Sequence, residues 1–123
     1  MSTNLAVIYQ QAADIIRTNG HNKGSYYRVP ETSVGIQLSP AEYPVCAAGA
    51  LNVALTGSPA PAYDGDDIPV VVEAARRFMR HVTPGYRGAS AIWDLAVWND
   101  NRERTAADVI AAFEEAAREV RAA

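Results

Sequence analysis

The chain has a single cysteine, Cys46, and a single lysine, Lys23, among its 123 residues. One cysteine cannot form an internal disulfide, which is typical of proteins that work in a reducing compartment. No apolar run approaches about 18 residues, so the sequence predicts no membrane-spanning helix and no membrane partner. The first residues also lack a basic segment followed by an apolar core, so we expect no signal peptide and a cytoplasmic location.

An excess of basic charge is missing as well. The 11 Lys and Arg residues face 14 Asp and Glu residues, which gives a formal net charge of −3. General nucleic-acid binders usually present a basic face, so this balance disfavours nucleic acid as a partner. The sequence contains no glycine-rich phosphate loop, no metal-spaced set of cysteines and histidines, and no Gly-x-Ser-x-Gly elbow. These absences favour a protein without a cofactor or a metal, and a non-enzymatic protein over an enzyme.

Helical signals occupy most of the chain. Apolar residues recur at helical spacing in five segments: residues 4–18, about 44–56, from Asp66 or Asp67 to Pro84, 91–98, and 105–121. The segment 91–98 also fits a strand, although Asp94 and the neighbouring alanines favour a helix. Thr105 and Asp108 have the spacing of a capping box, which predicts where the last helix begins.

One region favours extended structure instead. Residues 26–29 and 34–38 are rich in aromatic and branched side chains, with a possible turn at 30–33, and they predict a small β-hairpin. A lone hairpin is marginally stable in water, so it must pack against the helices. We therefore expect a mainly α (α+β) fold, a compact bundle of four to five helices with one small β-hairpin, in a single domain over residues 1–123.

Cys46 is the first candidate for chemistry. It lies near the start of a predicted helix, where free N–H groups and the helix dipole lower the pKa of a thiol. A cysteine-dependent hydrolase also needs a histidine base, and the chain offers only His21 and His81. The competing interpretation is that Cys46 is a small core residue among alanines, because buried free cysteine is common.

An acidic loop is a possible cation site. Asp64, Asp66 and Asp67 surround Gly65 and place several oxygens on a short segment. The spacing does not match an EF-hand loop, and no glutamate follows at the required position. The more economical interpretation is a solvated loop that caps the next helix.

Surface binding is the leading hypothesis for function. We call Arg76, Arg77 and Arg80 the arginine strip, and with His81 they lie opposite the apolar face of their predicted helix. Such a strip contacts phosphate or an acidic partner, although most charged strips are solvated faces. Tyr63 and Tyr86 fall in predicted loops and are candidate contacts, since tyrosine is enriched at interfaces. We expect a module that binds a host protein or another copy of itself; the alternatives are the Cys46 hydrolase and weak nucleic-acid binding through the strip.

Three short segments carry a family resemblance. They are Cys-Ala-Ala-Gly-Ala-Leu at 46–51, Trp-Asn-Asp at 98–100, and the helix start at 105–110. In this order they resemble a family of small uncharacterised domains of unknown function from actinobacteria and their phages, over residues from about 5 to 120. The resemblance implies a cytoplasmic or phage-encoded accessory protein and assigns no activity, cofactor or catalytic residue. For the Trp-Asn-Asp segment we expect a structural joint: an aromatic plug followed by a chain reversal before the last helix.

Overall fold

The computed structural model describes residues 4–31, 38–61 and 67–123, and within them the chain is mainly helical. Its helices are α1 (Leu5–Asn19), α2 (Ala47–Thr56), α3 (Asp67–Val82), α4 (Ala91–Asp100) and α5 (Ala106–Ala122), with a short 3-10 turn at Pro40–Glu42. This confirms the predicted helical bundle and shows that the ambiguous segment 91–98 is a helix. None of the helices in these ranges is long and apolar enough to cross a membrane.

The helix ends follow local chemistry. At the start of α1, Asn4 Oδ1 accepts a hydrogen bond from the backbone N–H of Val7 at 3.2 Å. Gly20, with a φ of 104°, ends the same helix. At α5 the predicted capping box is confirmed, because Thr105 N donates to Asp108 Oδ2 at 2.9 Å and Asp108 N donates to Thr105 Oγ1 at 3.1 Å. Hydrogen bonds from the backbone and the side chain of Thr105 to the Asp108 carboxyl hold its pKa below its usual range.

An aromatic cluster lies at the centre of the bundle. The ring of Phe78 on α3 is 4.3 Å from that of Phe113 on α5 and 5.9 Å from that of Tyr9 on α1. The Tyr9 hydroxyl donates to the carbonyl oxygen of Ala74 at 2.7 Å, so this buried polar group is satisfied. Trp98 on α4 meets Phe78 edge-on at 5.3 Å. Four helices thus share one core, and the expected role of Trp98 as an aromatic plug holds for the contact with Phe78.

The predicted β-hairpin is not supported. Residues 26–28 run beside residues 44–46, with backbone N–O distances of 3.0 and 3.1 Å between the two segments. Tyr27 forms an isolated antiparallel bridge with Val45, and no strand occurs in the described ranges. The backbone of 26–28 therefore bonds to the start of α2, which the sequence pattern did not indicate. Residues 34–37 of the predicted second strand lie outside the described residues.

The Trp-Asn-Asp segment is not itself a turn. It forms the last turn of α4, which continues to Asp100. The chain reverses only after it, where Arg104 N donates to Asn101 O at 2.9 Å and Glu103 N donates to Asn101 Oδ1 at 3.0 Å. The chain reversal expected before the last helix therefore begins only after Asp100, because the side chains of Asn99 and Asp100 bond to distant backbone rather than to their own.

Gly49 allows a loop to approach α2 closely. A Cβ atom at this position would lie 2.1 Å from the carbonyl oxygen of Tyr26. The same oxygen accepts a hydrogen bond from Cys46 N at 3.1 Å, so it cannot move away without losing that bond. Position 49 requires glycine because a neighbouring backbone contacts it, and not because another helix packs against it.

We expect Gly49→Ala to destabilise the protein, although alanine is normally the better helix former by about 1 kcal/mol. The added methyl overlaps a backbone oxygen, and overpacking of this kind costs about 1–3 kcal/mol. Urea unfolding followed by far-UV circular dichroism measures the change in the free energy of unfolding. A variant as stable as the wild-type protein, or more stable, would show that the approach at Gly49 is not tight.

Candidate functional site

The side chain of Asn99 joins three parts of the chain. It is fully buried, and its Oδ1 accepts a hydrogen bond from Ala47 N at 2.9 Å and lies 2.7 Å from His21 Nε2. Its Nδ2 donates to the Asn22 carbonyl oxygen at 3.0 Å and to Asp100 Oδ1 at 3.1 Å. We call this set of contacts the Asn99 hub. It fixes the end of α4 against the first residue of α2 and against the segment that follows α1.

The backbone partners fix the orientation of the Asn99 amide. The Ala47 N–H only donates and the Asn22 carbonyl only accepts, so oxygen and nitrogen cannot be exchanged. Because Oδ1 is therefore the atom that faces His21, the Nε2 atom of His21 must carry a proton and donate it. The hub thus determines which ring nitrogen of His21 is protonated.

Asp100 extends the hub to the next loop. Its Oδ1 accepts from Gly24 N at 3.0 Å, in addition to the bond from Asn99. The loop has a second attachment, since Lys23 Nζ donates to the carbonyl oxygen of Asn101 at 2.7 Å. Gly24 has a φ of 88°, a conformation that suits glycine. These bonds hold the loop against the C-terminal end of α4.

Cys46 is a buried thiol at the N-cap of α2. Its side chain is 1 % exposed, and Sγ accepts a hydrogen bond from Gly49 N at 3.4 Å. Burial, with a smaller contribution from the Asp100 carboxylate, raises the pKa of the thiol from 9.0 to about 11, against the lowering effect of the N–H groups of α2. The N–H groups at the helix start do lower this pKa, as expected, but desolvation outweighs them and the net shift is upward. The interpretation of Cys46 as a small buried residue is confirmed.

The structure does not join Cys46 to either histidine. Among the described residues, no hydrogen bond links its Sγ to His21 or His81. His21 directs Nε2 to Asn99, and His81 on α3 bonds through Nδ1 to Glu119 on α5. The nucleophile–base contact that a cysteine hydrolase requires is therefore not formed in this conformation.

A small cavity opens beside Cys46, between α4 and the loop that precedes Tyr27. It has a volume of about 130 Å³. The lining residues are Gly24, Ser25, Tyr26, Cys46, Trp93, Ala96, Val97 and Asp100. Two of its large apolar side chains are strongly exposed, Trp93 at 67 % and Val97 at 55 %, and their i, i+4 spacing places them on one face of α4. We call this site the Cys46 cavity.

The arginine strip lies elsewhere, on α3. Arg76 pairs with Glu73 at 3.2 Å, and the other two arginines of the strip are exposed. Next to them, His81 bonds to Glu119. The basic face is thus interspersed with carboxylates, which reduces the positive potential that a phosphate backbone would meet.

The two tyrosines proposed as contacts have different outcomes. Tyr86 lies in the loop between α3 and α4, as predicted, but its hydroxyl donates to Asp94 Oδ2. Loss of water contact and this hydrogen bond raise the pKa of Tyr86 to about 12. Tyr63 and the acidic residues 64–66 lie outside the described residues, and the side chain of Asp67 is likewise not described.

The sequence singled out the Trp-Asn-Asp segment that contains Asn99, but not the exposed face formed by Trp93 and Val97. The helix α4 carries apolar residues on both faces, so its pattern does not show which face is outward. Leu95 is fully buried, whereas Trp93 is exposed. The only local signal was that this apolar helix has no polar face, which is typical either of a buried helix or of one with a partner.

Comparison with protein families identifies the family of the chain. The model of a family of unknown function, DUF6197, matches residues 1–119. The chain belongs to DUF6197. This confirms the predicted resemblance to an uncharacterised domain family. Comparison with curated proteins finds no match, and comparison with solved structures finds none.

The DUF6197 match covers each segment that the structure brings together around the hub. The Cys-Ala-Ala-Gly-Ala-Leu segment begins α2, the Trp-Asn-Asp segment ends α4, and Asn99 bonds the two through Ala47. The family carries no assigned function, so the geometry of the hub and of the Cys46 cavity is the basis for the function proposed for this DUF6197 chain.

We expect Asn99→Ala to lower the free energy of unfolding of this DUF6197 chain by about 3–5 kcal/mol. The substitution leaves Ala47 N–H and the Asn22 carbonyl buried without their partners, and each such loss costs about 1–3 kcal/mol. Asn101→Ala is the matched control, because Asn101 is exposed and should cost about 1 kcal/mol or less. Urea unfolding of both variants measures the change in the free energy of unfolding. Equal losses would show that the hub contributes no more to stability than an exposed asparagine does.

Alkylation of Cys46 by iodoacetamide should be slow in the folded protein. With a pKa of about 11 instead of 9.0, the thiolate fraction at a pH of about 8 falls by about 100-fold. Because the folded pKa is raised, the neutral thiol stabilises the fold below 9.0, and this contribution is lost as the pH rises towards 11. Mass spectrometry of native and urea-unfolded protein measures the two rates. Equal rates would mean that the thiol is accessible and reactive in the native state.

Proposed function

We propose that this DUF6197 chain acts as a single domain that binds another protein through the exposed face of α4 beside the Cys46 cavity. The observation that carries the proposal is Trp93, which is 67 % exposed at the rim of this cavity. Exposed tryptophan next to a concave apolar site is typical of protein interfaces, where it often contributes much of the binding energy.

The size of the cavity favours a protein partner over a small-molecule substrate. Binding pockets for drug-sized ligands measure about 300–1,000 Å³. The Cys46 cavity measures about 130 Å³ and lies open to solvent beside exposed apolar residues. A cavity of about 150 Å³ accepts a group of the size of benzene, so this one accommodates a single inserted side chain.

Rigidity also supports binding. One wall of the cavity is α4 and another is the loop at Gly24, and Asp100 bonds to that loop at 3.0 Å. Cys46, at the floor, precedes the residue whose N–H is held by Asn99. A preformed site loses little conformational entropy when a partner binds, which favours affinity.

The alternative functions have weaker support. A cysteine hydrolase through Cys46 is disfavoured by the raised thiol pKa and by the missing contact with His21 or His81. Nucleic-acid binding through the arginine strip is disfavoured by the net charge of −3 and by the carboxylates of α3 and α5 beside the strip. A hydrolase needs an activated thiol beside a base, and a nucleic-acid binder needs an excess of positive charge. The described residues provide neither.

Selection of a random peptide library displayed on phage tests the proposal. We expect enriched peptides whose affinity falls by about 30-fold for Trp93→Ser, because truncation of a central aromatic contact costs about 2 kcal/mol or more. Val97→Ser should also weaken binding. Val7→Ser is the matched control, since Val7 is 47 % exposed on α1, and should leave affinity unchanged.

Two results would contradict the proposal. One is enrichment of peptides whose affinity is insensitive to Trp93 and Val97. The other is the absence of any binder from a library that yields binders for an unrelated control domain. A dimer seen by analytical ultracentrifugation and abolished by Trp93→Ser would assign the face to self-association instead of to a foreign partner.

A further inference from the structure

The lining of the Cys46 cavity combines apolar surface with one carboxylate. Trp93, Val97 and Ala96 supply the wall from α4, and Cys46 supplies the floor. Among the described residues of the lining, Asp100 alone carries a charge. A purely apolar guest would leave this carboxylate without a new partner, whereas a guest with a cationic end would use both kinds of surface.

Asp100 has one oxygen available for a guest. Its Oδ1 accepts the bonds from Gly24 N and Asn99 Nδ2, and Oδ2 accepts none from the described residues. The nearby Lys23 does not neutralise it by a direct contact, since its Nζ donates to the Asn101 carbonyl at 2.7 Å. The carboxylate is thus oriented by the fold and has no cationic partner in the described part of the chain.

This arrangement distinguishes two basic side chains. A guanidinium binds best to two free carboxylate oxygens in a bidentate pair, and here one oxygen already accepts two hydrogen bonds. An ammonium is a compact donor that needs a single oxygen. Its four-carbon stem also packs on apolar surface, and the exposed ring of Trp93 attracts a cation at its face.

We propose that the Cys46 cavity receives a lysine side chain of the partner protein, with the ammonium bound by Asp100 and the stem against Trp93 and Val97. This inference rests on the proposed function, because it names the group that the α4 face recognises. It excludes an arginine, an acidic residue or an uncharged aliphatic residue as the preferred guest.

Titration with small probes tests the inference separately from the peptide selection. The probes are N-acetyl-lysine methylamide, its arginine counterpart, and the norleucine counterpart, which has an apolar end in place of the ammonium. The indole N–H signal of Trp93, assigned with Trp93→Phe, and the amide signal of Gly24 report binding in heteronuclear NMR spectra. We expect the lysine probe to bind about three- to fivefold more tightly than norleucine, as for an ion pair at an exposed carboxylate.

The variant Asp100→Asn should abolish the preference for lysine over norleucine. It retains an oxygen that can accept from Gly24 N, so the loop should stay in place, which the unchanged amide spectrum would verify. Added salt should weaken the lysine probe alone, because salt screens the ion pair and not the apolar contact. This second measurement uses the wild-type protein and does not depend on the folding of a variant.

Each other outcome has a definite meaning. Equal affinity for lysine and norleucine, or tighter binding of arginine, overturns the lysine inference and leaves the docking face of α4 standing. Shifts that do not involve Trp93 or Gly24, or no shift with any probe, also overturn it. Failure of the proposed function would show itself differently, as peptide binding that ignores Trp93.

Discussion

The amide of Asn99 is the constraint on which the rest of this structure depends. A buried amide is costly unless its polar atoms are bonded, and each of its backbone partners here comes from a different, distant segment. The amide bonds to Ala47 at the start of α2 and to Asn22 after α1, while the residue itself belongs to α4. The amide is satisfied only when the three segments meet, so the hub favours this packing over alternatives that apolar contacts alone would tolerate.

The hydrogen bonds of Asn99 also explain the position of Cys46 in the cavity and the burial of its thiol. The hub holds Ala47 in place, so the preceding residue, Cys46, is fixed at the floor of the cavity with 1 % of its surface exposed. Burial then keeps the thiol neutral, whereas a nucleophile would need the opposite. Neighbouring Asp100 is oriented by Gly24 and Asn99 through Oδ1, and its Oδ2 accepts no hydrogen bond from the described residues. One set of hydrogen bonds thus positions both the lining of the cavity and the buried thiol.

Local signals in the sequence predicted the helices and the capping box of α5, because capping and apolar periodicity act within a few residues. The predicted hairpin was wrong because the backbone of residues 26–28 bonds to residues 44–46. Local propensity does not show a pairing between segments so far apart in the sequence. The role of Asn99 was hidden in the same way, since its partners at Asn22 and Ala47 lie far away in sequence. The sequence did not show that Trp93 is exposed, because α4 is apolar on both faces.

Under the proposed function, folding and recognition share atoms in this chain, so the choice of residue decides what a variant can report. A change at Asn99 alters stability and the cavity together, so lost binding in such a variant would carry no information about recognition. Trp93 and Val97 are different, because each exposes more than half of its surface and contributes little to the core. Asp100 is intermediate: one oxygen serves the fold and the other is open. The proposed function is therefore best separated from stability at the α4 rim, where exposed surface that contributes little to the core is nevertheless apolar.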